Sequence, residues 1–114
     1  MEILKLAQKA ASFAHDKKAE NLLILDVSKL TSYTDYFVLC EAPSERQVSA
    51  IAQNIMDELS AMGKKPLGVE GLEQGLWVLV DYGDFVVHVF VEGMRHHYNL
   101  EGFWHEAQKI PCEF

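Results

Sequence analysis

The stretch LWVLVDYGDFVVHVF, residues 76–90, decides the fold. Two aliphatic runs flank Tyr82-Gly83, and period-two alternation on either side of a short turn reads as a β-hairpin. With Tyr82-Gly83 as a two-residue turn, Asp81 faces Asp84, Leu79 faces Val86 and Trp77 faces His88. Val78, Val80, Phe85, Val87, Val89 and Val91 then share one apolar face, as a core demands. Trp77, Leu79, Asp81, Asp84, Val86, His88 and Phe90 share the other. That second face mixes large apolar residues with groups that want water or a partner, as the middle of a binding surface does. Taken singly, Trp77 reads as a core aromatic with a bonded indole N–H, and His88 as a satisfied buried histidine. Their presence together, opposite an all-aliphatic face, favours an interaction surface.

The rest of the chain supplies elements to pack against this hairpin. Ile3, Leu6, Ala7, Ala10, Phe13 and Ala14 recur at three- and four-residue spacing, predicting a helix over 2–15. The apolar run 22–27 predicts a strand buried on both faces, Ser28 to Thr34 a polar loop, and Tyr36 to Cys40 a second strand. Ser44 and Gln47 form a capping box ahead of Val48, Ile51, Ala52, Ile55, Leu59 and Met62, with Gly63 as the stop. Pro66 to Glu70 reads as a short strand and Gly71 to Gly75 as a loop. After Gly93 the pattern predicts a turn or short helix, then a last helix from Asn99 through Ala107 that Pro111 ends. The expected fold class is therefore α/β: a single domain with a mixed sheet of about five strands flanked by helices.

Composition narrows the function. The chain has 114 residues, enough for one domain, and no internal repeat. No apolar run approaches a membrane span, and Met1 to Lys5 lacks the basic start of a signal peptide, so a soluble, cytoplasmic protein is expected. Ten basic residues against seventeen acidic ones leave a net charge of −7, which speaks against extended nucleic-acid contact and suits a basic protein partner. Cys40, closing an apolar run, reads as a buried thiol rather than half of a disulfide with Cys112.

Catalytic chemistry finds little support. Neither a G-x-x-x-x-G-K-[ST] nor a G-x-G-x-x-G phosphate cradle occurs. Asp81 and Asp84 flank a turn, where aspartate makes local hydrogen bonds, and His15, His88, His96, His97 and His105 show no zinc spacing. Cys40 with His88 is the one nucleophile–base pairing to consider, and Cys40 has no activating cation in sequence. No catalytic residue, metal ligand or cofactor is expected.

The segments LDVSKLTSYTDYFVLC (25–40), SERQVSAIAQNI (44–55), PLGVEG (66–71), WVLVDYGDFVVHVF (77–90) and RHHYNLEGFW (95–104) resemble, in order, those of the ribosomal silencing factors, also called the iojap-like family. The resemblance implies a fold similar to nucleotidyltransferases without their paired catalytic aspartates. It implies a translation repressor that binds the large ribosomal subunit through ribosomal protein uL-fourteen and sterically prevents subunit joining when nutrients are short. The sequence departs from the family pattern at Glu41-Ala42-Pro43, at Gly102, and in the tail after residue 109, which leaves a family-like domain over 1–109 and a tail over 110–114. Carried over residue by residue, the partner-binding positions are Trp77, Leu79, His88 and Phe90, with Glu70 at the mouth of the preceding strand. A nucleotidyltransferase-like enzyme and a homodimeric scaffold using the same face remain as alternatives.

Overall fold

The computed structural model describes residues 2–94 and 107–112. The first element, α1 (Ile3–Asp16), buries Ala7, Ala10, Ala11 and Ala14, whose small side chains let the helix lie close against the sheet. It ends where the backbone N–H groups of Lys17 and Ala19 both reach the Ala14 carbonyl, with Lys18 left-handed at φ 63°. Two antiparallel strands follow, β1 (Glu20–Asp26) and β2 (Tyr36–Ala42).

Helix α2 (Glu45–Ala61) begins as its sequence demands. The Ser44 hydroxyl accepts the Gln47 backbone N–H at 3.2 Å. Only half of the expected capping box forms; the Gln47 amide nitrogen donates to the Lys17 carbonyl at the end of α1. Val48, Ile51, Ala52, Ile55 and Leu59 line its buried face, and Asn54 ties it to α1 by donating to the Phe13 carbonyl at 3.0 Å.

The strands β3 (Gly68–Glu70), β4 (Trp77–Asp81) and β5 (Phe85–Val91) follow, then β6 (Gln108–Ile110). The sheet runs β3-β4-β5-β2-β1-β6 and is mixed: β2 and β5 lie parallel at its centre, and the other neighbours are antiparallel. Strands β2 and β5 are buried almost end to end. The double burial expected of residues 22–27 belongs to these two, since β1 starts exposed at Glu20 and carries an irregularity before Leu23.

Both described helices pack on one face of the sheet, over Ile24, Val38, Cys40, Val78, Val80, Phe85, Val87 and Val89. Leu25, Val27, Phe37, Leu39, Val86 and Phe90 form a second cluster on the other face, with Trp77, Leu79, Met94 and Ala107 packed against it. The α/β domain with a mixed, helix-flanked sheet is as expected, with one strand more than the sequence suggested. Strand β6 is that addition: Gln108–Ile110 pairs with β1 where helix and tail were expected, so the boundary drawn at 109 falls inside a strand. The short helix or turn over 95–98 and the last helix from Asn99 lie outside the described residues.

Candidate functional site

The hairpin turn sits one residue later than its sequence suggested. Gly83-Asp84 occupies the two central positions, closed by the Tyr82 N–H on the Phe85 carbonyl at 3.0 Å. Gly83 takes φ +86°, the conformation a first-position glycine supplies, and the Asp81 carboxylate accepts its N–H at 2.7 Å. Asp81 therefore serves the turn. Moving the turn by one residue shifts the pairing by two, so Asp81 meets Val86, Leu79 meets His88 and Trp77 meets Phe90. A two-residue shift preserves alternation. The two faces consequently hold the side chains assigned to them, although every cross-strand partner differs.

On the face away from the helices, β4 carries Trp77, Leu79 and Asp81, and β5 carries Val86, His88 and Phe90. Trp77 is half-buried; its ring stacks on Phe90 with centroids 5.3 Å apart. Its indole N–H donates to His88 Nδ1 at 3.1 Å, a diagonal cross-strand contact. An accepting Nδ1 places the imidazole proton on Nε2. His88 is only 4% exposed, and burial pushes its pKa down to about 3, so the ring is neutral near pH 7. Phe37 meets it edge-on at 5.0 Å.

The five positions assigned to partner binding thus divide by depth. Glu70 is exposed on β3 and pairs with half-buried Leu79, which places both on the face of Trp77. His88 and Phe90 are buried and form the floor on which Trp77 rests. The loop between β3 and β4 fixes that arrangement. Gly71 (φ +81°) packs against the Trp77 carbonyl and Gly75 (φ +70°) against the Glu45 carbonyl of α2, both too closely for a side chain. Ser49 of α2 donates to the Leu72 carbonyl at 2.8 Å and completes the attachment.

The sequence reading did not single out Tyr33. It lies in the loop read only as polar, is 66% exposed, and its ring is tilted toward Phe37 at 6.1 Å. An isolated aromatic among small polar residues was the available signal.

As chemistry, the site offers little reactivity. A histidine whose pKa lies near 3 is a poor base at neutral pH. Cys40 belongs to the helix-side core and His88 to the opposite face, so the sheet separates them. Among the described residues no group of three or more His, Cys, Asp or Glu side chains is arranged to hold a metal ion. None of the described helices is long and apolar enough to cross a membrane. What the site presents is an aromatic and aliphatic surface flanked by carboxylates.

Known proteins resemble this chain over most of its length. The family model described as "Ribosomal silencing factor during starvation" matches residues 1–114. The ribosomal silencing factor RsfS of Bacillus subtilis (strain 168) is 42% identical over 112 residues, covering 98% of this chain and 92% of that protein. The chloroplastic protein Iojap of Arabidopsis thaliana is 33% identical over 116 residues, covering 99% of this chain and 47% of that protein. A crystal structure of a Chromobacterium violaceum protein superposes with a TM-score of 0.89 at 38% identity, covering 100% of this chain and 94% of the other. By full-length match, identity and fold, the chain belongs to the ribosomal silencing factor family.

Proposed function

We propose that this protein represses translation by binding the large ribosomal subunit through ribosomal protein uL-fourteen, where it sterically blocks joining of the small subunit under nutrient limitation. Family membership supports a regulatory role at the ribosome rather than a catalytic one. The observation that carries the reading is the half-buried Trp77, stacked on Phe90 and bonded to neutral His88, with Leu79 and Glu70 beside it. A rigid aromatic in a semi-enclosed setting is the usual energetic centre of a protein interface. A net charge of −7 favours a basic protein surface over bare phosphate.

Sucrose-gradient sedimentation with purified subunits tests this. The protein should travel with the large subunit and reduce the fraction of joined particles, and isolated uL-fourteen should be retained on the immobilised protein. Protein that stays at the top of the gradient, with joining unchanged, would overturn the proposal.

A further inference from the structure

Tyr33 and Trp77 are the accessible ends of one aromatic row. Tyr33 leans on Phe37, Phe37 on His88, and His88 accepts the Trp77 indole N–H. The two middle rings are buried, so both ends rest on a packed floor. Tyr33 is also presented by an ordered loop. The Asp26 carboxylate accepts both the backbone N–H and the hydroxyl of Ser28, and the N–H groups of Leu30 and Thr31 reach the Val27 carbonyl at 2.9 and 3.0 Å. The Asp35 N–H closes the loop onto the Asp84 carbonyl at 3.0 Å. A side chain fixed in advance loses less entropy when a partner covers it.

The charges that β3 and β4 bring to this face have one sign. Asp81 lies close enough to Tyr33 that its carboxylate adds to burial in raising the phenol pKa, and Glu70 stands across from Leu79. Strands β3, β4 and β5 contain no lysine or arginine. Along β4, Trp77 and Asp81 are roughly 13 Å apart at strand spacing.

We infer that Tyr33 is a second aromatic anchor of the binding face, and that the partner lays a lysine- or arginine-bearing protein segment along β4 between Tyr33 and Trp77. This rests on the ribosome-binding reading and adds to it a second contact element and the chemistry of what meets it. The carboxylates of Glu70 and Asp81 are complementary to such a segment and repel nucleic-acid phosphate.

The test is cosedimentation with purified large ribosomal subunits, alongside thermal melting, for the wild-type chain, Tyr33→Ala and Tyr33→Lys. Removing the ring should weaken binding about tenfold or more while melting changes little, because Tyr33 is mostly exposed. Tyr33→Lys keeps an aliphatic stem against Phe37, so it stays readable if alanine loosens the loop. Its added cation should weaken binding to a basic segment. Undiminished binding by Tyr33→Ala, with the wild type bound, overturns this inference alone. Tighter binding by Tyr33→Lys identifies ribosomal RNA as the occupant and overturns the basic segment. Absence of binding by the wild type overturns the ribosome reading and this inference with it.

Discussion

His88 is held neutral by its surroundings, and that makes the fold sensitive to acid. Its pKa is about 3 in the folded chain, whereas an unfolded histidine titrates near 6.5. Between those values the unfolded chain binds a proton that the native one refuses. The stability due to His88 is therefore complete above pH 6.5 and drains away as the pH falls toward 3, by up to about 1.4 kcal/mol per pH unit. His88→Asn keeps an acceptor near the Nδ1 position for the Trp77 N–H and cannot titrate. Urea unfolding from roughly pH 7 to 4 should show wild-type stability falling more steeply than that of the variant; parallel curves would show that His88 titrates as it does in an unfolded chain. Trp77 is expected to act in two ways. Its truncation to alanine removes a stacked ring and the His88 hydrogen bond, at about 1–3 kcal/mol of stability, and should also weaken subunit binding about thirtyfold. Val87→Ala, in the helix-side core, should cost about 2 kcal/mol and leave the affinity of the folded protein unchanged. Measured melting and subunit affinity separate the two residues.

At the level of elements, alternation was the legible part of the sequence. Period two placed Trp77, Leu79, His88 and Phe90 on one face for either two-residue turn, because an even error in register leaves sides unchanged, whereas a three-residue turn would have changed the pairing. The turn itself was not legible. Tyr82-Gly83 and Gly83-Asp84 both offer a glycine, and only the Asp81 carboxylate on the Gly83 N–H selects the second. Strand β6 was hidden because three residues carry no period, and its pairing with β1 is a long-range fact. Side-chain depth was hidden for the same reason, so the sequence placed His88 and Phe90 on the proposed binding face without showing that both lie in its floor. The loop Gly71–Gly75, read only as a connection, is an attachment that sets the position of Trp77. Gly75→Ala should demonstrate this. Its φ of +70° disfavours any side chain, and a methyl group would press into the Glu45 carbonyl. Roughly 2 kcal/mol or more of stability should be lost. Near-ultraviolet circular dichroism should report an altered Trp77 environment in the folded fraction; an unchanged signal and melting point would show that α2 yields without cost.

The molecule measures 33 × 33 × 26 Å, with α1 and α2 behind a sheet whose opposite face carries the proposed contacts. A body of that size placed between two subunits needs no chemistry to keep them apart. The proposed mechanism therefore makes a quantitative demand that an enzyme would not. If exclusion is steric, each blocked large subunit holds one copy, and the fraction unable to join follows occupancy at every concentration. Titrating the protein into a fixed amount of large subunit, then adding small subunit, should give inhibition that saturates at one equivalent and does not deepen with incubation time. Trp77→Ala should shift the curve by the same factor as it shifts the dissociation constant, because binding is then the whole of the effect. Glu70→Gln should act differently. Exposed at the edge of the face, it steers more than it holds, so its loss should slow association and flatten the dependence on salt while changing the final plateau little. Substoichiometric protein that inactivates a growing fraction of subunits with time would require turnover, and occlusion would then be the wrong mechanism.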